Sequence, residues 1–215
     1  MLHIKNLHLS FYNEPTVGAN AQGALQQLLA GLGASTQTNA AAPSAPTPVA
    51  TTTALTPPAP GQPWPGQGGI YICTLPAQFG LPARHLVLGT NEAENLQWGG
   101  YGEEATGATS QTDGRANTAA LVASATDHPA AQWAAAYTED GHADYYLPSR
   151  IELLMCYLHA PQVFKTSGWY WSSSQYARGN AWCQAFECGH SYAIIKGSEF
   201  RARPVRSIQL QPSST

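Results

Sequence analysis

The chain has 215 residues and a formal net charge of −3, with 11% of its residues charged. Nine of its ten Lys and Arg residues follow position 83 and they form no basic run, so the electrostatic footprint of a nucleic-acid-binding protein is missing. No stretch approaches the ~18 apolar residues of a membrane span, and four cysteines (Cys73, Cys156, Cys183, Cys188) in a chain of this length predict free thiols rather than a disulfide framework.

The opening MLHIKNLHLSFYNEP lacks the apolar core of a signal peptide, which predicts synthesis and assembly in a cytosol. Leu2/Ile4 and Leu7/Leu9/Phe11 alternate as in a strand or hairpin. Leu25, Leu28, Leu29 and Leu32 then form one stripe of a short amphipathic helix closed by Gly33. So short a helix is marginal alone, so it must dock on another copy, on a larger assembly or on its own domain. Residues 1–33 are thus read as an anchoring or oligomerisation segment. Residues 34–67 are dominated by Ala, Pro, Thr, Ser and Gly and read as an extended linker.

A globular domain is expected over 68–210. Ile70–Thr74 and His85–Leu88 read as strands, and 98–114 as an irregular Gly- and Thr-rich loop. Asn117 is the expected cap of a helix through Leu121 and Val122. Asp127 and Pro129 mark a second start, with Trp133 and Tyr137 on one face. Ser149-Arg150-Ile151-Glu152 is a capping box opening a third helix. Strands follow at 169–172, 181–186, 192–196 and 203–208, separated by Gly179, Gly189 and Gly197. Pro204 must sit at an edge, a strand start or a bulge. Helices followed by a run of short strands predict an α+β class.

Residues 168–207 hold three of the six tryptophans and four arginines, and function is expected there. If Trp182 and Phe186 point inward, period-2 geometry turns Gln184 inward and Cys183, Ala185 and Glu187 outward. The outer face would then offer Tyr192 as an amphipathic anchor, Arg178 as a donor fork, His190 and Asn180 as polar groups, and Ile194 as apolar contact. An alternative assigns Tyr192 and Ile194 to ordinary strand core. Trp169, Trp171 and Trp182 are read as core, with a sugar-stacking platform as the alternative. Arg201, Arg203 and Arg206 are expected to pair with carboxylates such as Glu199, Asp144 or Glu152. The seven histidines show no metal-ligand spacing and no HExxH, GxSxG or P-loop occurs, so no cofactor and no enzymatic activity are predicted.

The domain resembles the DUF1566 branch of the C-type-lectin-like superfamily. The likeness is carried by GGIY at Gly68, LQWG at Leu96, ATGAT at Ala105, DGRANTAALV from Asp113, DYYLPSRIEL from Asp144, WYWSSSQY from Trp169, NAWCQAF from Asn180 and RARPVRSI from Arg201. It implies a C-type-lectin-like domain with short helices and a small antiparallel sheet, whose first and last strands pair and whose late strands form one exposed binding face. Family members occur as bacterial surface proteins and phage receptor-binding proteins, and in some a retroelement diversifies this region by mutating adenines in Asn codons. The resemblance implies contact through Arg178, Asn180, Cys183, Ala185, His190, Tyr192, Ile194 and Ser198, all residue types reachable from an Asn codon.

The expectation is a phage tail-fibre or tail-tip adhesin on the virion, assembled in host cytoplasm. Its N-terminal segment would dock on other tail proteins, its copies would form a homotrimer by analogy with other tail adhesins, and its head would bind a host-surface protein or glycan. A bacterial surface or secreted ligand-binding module is the alternative. A third reading is a copper oxidase of the formylglycine-generating kind, which shares the broader fold and uses a Cys-x4-Cys pair, the spacing of Cys183 and Cys188. The calcium-binding triplets of sugar-binding C-type lectins are absent from the sequence.

Overall fold

IYICTL is rich in β-branched and aromatic residues and forms the first strand of the computed structural model, which describes residues 55–211. In chain order the elements are β1 (Ile70–Leu75), β2 (Arg84–Leu88), β3 (Ala93–Gln97), α1 (Gly114–Val122), α2 (Pro129–Ala136), α3 (Arg150–His159), β4 (Trp169–Ala177), β5 (Asn180–Ala185), β6 (Ser191–Ile195), β7 (Glu199–Ala202) and β8 (Val205–Gln209). The result is α+β, with three short helices preceding β4 and two sheets. The strand and helix expected in 1–33, and the linker as far as residue 54, lie outside the described residues. β3 falls just ahead of the expected irregular loop and was not anticipated.

The smaller sheet has the order β1-β2-β8 and the larger β3-β7-β4-β5-β6. A single small antiparallel sheet was expected; there are two, and the larger includes a parallel contact of β4 with β7 at Tyr170 and Arg201. Direct pairing of the first and last strands is also corrected, since β2 lies between β1 and β8. The reason is that the other edge of β1 is occupied. Gly61 N donates to Tyr71 O, Tyr71 N to Gln62 O, and Trp64 N to Gly69 O. Residues 61–67, read from composition as linker, therefore pack on the domain, and Trp64 is buried edge-on against Tyr71 and His85. Pro204 sits between β7 and β8, where the chain leaves the large sheet for the small one and no ladder donor is required.

Two apolar clusters fill the interior. One joins Ile72, Leu86, Leu88, Leu153, Phe164, Tyr170 and Phe186 between the small sheet and α3. The other joins Trp98, Leu121, Ala130, Ala134, Leu147, Trp171 and Cys183 between the large sheet and the pair α1 and α2. The small alanines of α2 let it approach closely. α3 starts on the expected capping box, with Ser149 N donating to Glu152 Oε2 at 2.9 Å and Glu152 N donating to Ser149 Oγ at 3.3 Å. α1 differs from expectation: Asp113 is its cap, accepting from Ala116 N at 2.9 Å. Asn117 lies buried within the helix instead, where its amide bridges both backbone groups of Ser110 (3.0 and 2.7 Å) and fixes the preceding loop. Gly114 is required at the start of α1, because a Cβ there would lie 2.5 Å from Glu152 Oε2 and from Ser149 N.

Candidate functional site

The antiparallel ladder of β4, β5 and β6 sets which side chains share a face. Trp171 pairs with Cys183 and Cys183 with Tyr192; Trp169 pairs with Ala185, and Ala181 with Ile194. These residues lie together on the face that packs toward α1 and α2, while Trp182 and Ala193 lie on the other. The face of β5 expected to be exposed is therefore buried as well. Cys183 and Ala185 are buried, the Cys183 thiol donates to Tyr192 O at 3.4 Å, and burial pushes that thiol up to about 12. Neither belongs to a contact surface. The physical reason is that β5 is an inner strand covered on both sides. On its second face Gln184 is buried as expected, and Trp182 is half-buried with the Arg150 guanidinium of α3 3.6 Å from its ring centroid. Trp171 is fully buried and Trp169 half-buried, consistent with their reading as core.

Of the remaining expected contacts, Arg178, Asn180 and Ser198 gather at one end of the sheet, in or beside the turns joining β4 to β5 and β6 to β7. Arg178 is exposed and Asn180 and Ser198 are half-buried. The loop 99–105 joins them there, with Gly102 N donating to Arg178 O at 3.1 Å and Gly99 N to Lys196 O at 3.2 Å. The loop is held from beneath by Lys196, which is fully buried. Its Nζ donates to Gln175 Oε1 at 2.7 Å and Glu103 O at 2.8 Å, and sits 4.7 Å from the Trp98 ring centroid. Burial pushes this amine down to about 8. Gln175 Oε1 also accepts from Ala105 N, and its amide donates to Glu104. The loop thereby presents Tyr101, 67% exposed, against Gly179 in the β4–β5 turn, while Tyr176, 59% exposed near the end of β4, packs edge-on against Trp182 at 5.0 Å. Sequence reasoning missed both tyrosines. Tyr101 was legible in principle, since an aromatic flanked by Gly99, Gly100, Gly102, Glu103 and Glu104 has no apolar neighbours with which to form a core.

His190, Tyr192 and Ile194 lie elsewhere, along β6 and its preceding turn. Ile194 is half-buried against the second core cluster. Tyr192 packs edge-on against Trp169 (4.6 Å) and lies 3.3 Å from His190 Nδ1 through its hydroxyl. Beyond Trp169 a shallow cleft of about 100 Å³ is lined by Glu94, Asn95, Gly168, Trp169, Phe200 and Arg201, among others. Its charges are largely neutralised within the protein, since Arg201 Nε meets Glu94 at 3.2 Å and Glu92 at 3.5 Å. Of the other arginines, Arg206 pairs with Asp144 at 2.7 Å as expected, Arg203 serves mainly backbone carbonyls including Gly89 O at 3.0 Å, and Glu152 pairs with Arg84 instead. Among the described residues no group of three or more His, Cys, Asp or Glu side chains is placed to hold a metal ion, and no helix is long and apolar enough to cross a membrane.

Fold and site together define an α+β domain with two sheets that displays aromatic and cationic groups on loops fixed at one sheet end. No protein-family model and no curated protein matches the chain. Among solved structures it is similar to a fimbrial protein from Bacteroides ovatus, at 15% identity and a TM-score of 0.42, over 56% of this chain and 35% of that one. The chain thus spans about a third of the fimbrial protein's length.

Proposed function

We propose that the chain is a non-enzymatic adhesin, a phage tail-fibre or tail-tip receptor-binding protein whose C-type-lectin-like head attaches the virion to a host-surface protein or glycan. The observation that carries this reading is the fixed loop end of the large sheet, where Tyr101, Tyr176 and Arg178 are exposed on a framework tied down by buried Lys196 and Gln175. Rigid, amphipathic tyrosines and an arginine fork are the groups that supply binding energy at low entropic cost. Asn180 and Ser198 flank them. Several copies joined through the N-terminal segment would multiply a weak single contact by ~10²–10⁴ in avidity. The alternative of a bacterial surface module shares the same contact end and differs in which neighbouring genes accompany the coding sequence. A copper oxidase is disfavoured by the burial and raised pKa of the Cys183 thiol, which oppose thiolate ligation.

The test is saturable binding of the labelled full-length chain to intact cells of a bacterial panel. Replacing Tyr101 and Arg178 together by Ala is expected to weaken binding about tenfold or more with an unchanged melting temperature. Binding equal to that of the unaltered chain would refute this contact end.

A further inference from the structure

Five of the seven arginines reach a carboxylate of the domain. Arg84 meets Glu152 at 3.3 Å, Arg115 meets Asp144 at 3.4 Å, Arg201 meets Glu94 at 3.2 Å, Arg203 meets Glu92 at 3.9 Å and Arg206 meets Asp144 at 2.7 Å. Arg150 and Arg178 pair with no carboxylate among the described residues. Outside those residues the sequence holds one acidic side chain, Glu14, which cannot answer both. Glu104 of the loop 99–105 accepts from the Gln175 amide instead. A guanidinium is charged at every physiological pH, so two uncompensated positive charges stand on a chain of net charge −3.

Arg150 is a fixed fork rather than a loose surface side chain. Its backbone N donates to Ser174 Oγ on β4 at 3.0 Å, Ile151 N donates to Gln111 O at 2.9 Å, and the capping box sets the first turn of α3 around it. The guanidinium lies flat on Trp182, 3.6 Å from the ring centroid. Stacking covers one flat side, whereas the N–H donors point outward in the plane of the group. Only Nη1 has a side-chain partner among the described residues, Gln111 Oε1 at 3.5 Å. Much of the rotamer entropy that an arginine gives up on binding is thus already lost in folding. Tyr176, 59% exposed, meets the same Trp182 ring at 5.0 Å and stands at 79° to it. Both groups touch one ring, so their separation is bounded by the sum of these two short contacts.

We propose that Arg150, Trp182 and Tyr176 form a subsite for a uronic-acid residue of an acidic surface polysaccharide; this rests on the adhesin reading and names the class of its target. The open rim of the Arg150 guanidinium takes the sugar carboxylate in two parallel hydrogen bonds. The apolar C–H face of that sugar or of its neighbour lies on Tyr176. Arg178 takes a further carboxylate. Trp182 lies three residues beyond Gly179 of the β4–β5 turn, ~10 Å along the strand at ~3.3 Å per residue, a span that a repeating acidic chain fills and a small anion does not. Charge and shape select the class together. A sulfate or phosphate satisfies the fork but leaves the tyrosine unused. An acidic peptide carries its carboxylates on flexible stems that must be ordered on binding, without a flat apolar face beside them.

The test is calorimetric titration of the full-length chain with two uronic-acid polymers, polygalacturonate and alginate. The controls are fully methyl-esterified polygalacturonate, which keeps the sugars and loses the charge, dextran sulfate and poly-L-glutamate. Saturable binding to at least one uronic polymer is expected, weakened about tenfold or more by esterification and by Arg150→Gln. Arg150 also covers Trp182, so melting temperatures must accompany that variant; Tyr176→Ala tests the same subsite with the cover left in place and is expected to weaken binding several-fold. No binding to either polymer, binding that survives esterification, or binding unchanged in both variants overturns the proposal. Equally tight binding of dextran sulfate or of polyglutamate also overturns it, assigning the two arginines to anions in general or to an acidic protein. Cell binding separates this subsite from the reading beneath it. If Tyr101 and Arg178 matter on cells while Arg150→Gln and Tyr176→Ala bind cells fully, the subsite fails and the adhesin stands. If the polymers bind through Arg150 and no cell in the panel is bound, the adhesin reading fails and the acidic-sugar subsite stands.

Discussion

Glu152 is 2% exposed yet carries a full set of donors. Ser149 N, Ser149 Oγ and Gly114 N reach one oxygen at 2.9–3.2 Å, while Tyr146 OH and Arg84 reach the other at 3.0 and 3.3 Å. One side chain thereby ties α3 to the start of α1 and to β2. Glu152→Ala should cost about 3–5 kcal/mol, because it strands the Arg84 charge in the interior, and urea unfolding would measure it. Lys196 has the corresponding role beneath the contact loop. Lys196→Met leaves Glu103 O without its buried donor and Gln175 Oε1 with Ala105 N alone, at a cost of about 1–3 kcal/mol. The expected signature is faster hydrogen exchange over 99–105 together with weakened cell binding, and retention of full binding would separate the loop from recognition. Histidines supply the pH dependence. Burial lowers the imidazoles of His85 and His128 below their ordinary value of 6.5. Their folded-state pKa values lie below the unfolded one, so the unfolded chain takes up protons first as pH falls. The stability these two histidines contribute is therefore complete above about 6.5 and declines below it, and His128→Gln should reduce the slope of urea midpoint against pH between 7.5 and 5.

β5 shows how an element's neighbours override its sequence pattern. NAWCQAF alternates as a half-exposed strand would, and the large aromatics invite the inward assignment. The strand instead has helices over both faces, so Cys183 and Gln184, adjacent in sequence and opposite in direction, are both buried. Cys183→Arg should therefore prevent folding rather than change specificity, while Arg178→Ala should leave stability within about 0.5 kcal/mol, as for other surface changes. Soluble expression and melting curves of the two variants check the assignment. Any diversification would then be tolerated at Arg178, Asn180 and Ser198 and excluded at Cys183 and Ala185.

For the domain as a whole, the small sheet and its covering segment set the boundary. Trp64 lies in the compositional linker but closes the outer side of β1 against Tyr71 and His85. Trp64→Ala should cost about 3–5 kcal/mol, the range for emptying a buried aromatic site. An unchanged denaturation midpoint would return residues 61–67 to the linker.

Signals that act within a few residues could be read directly from the chain. The Ser149–Glu152 capping box, the Pro129 helix start, the glycine-bounded strands and the break at Pro204 each depend on contacts no farther than one helical turn or one strand step away. The order of helices before strands followed from them, and so did the α+β class. Contacts between distant segments settled the rest. Residues 61–64 took the edge of β1 that β8 was expected to occupy, Asp113 rather than Asn117 capped α1 because Asn117 was claimed by Ser110, and α3 laid Arg150 over Trp182. The contact end exists because Lys196, Gln175 and the loop 99–105, up to 96 residues apart, meet at one point. A side chain's direction on a strand is local, but whether that direction leads to solvent depends on what the remainder of the chain places there.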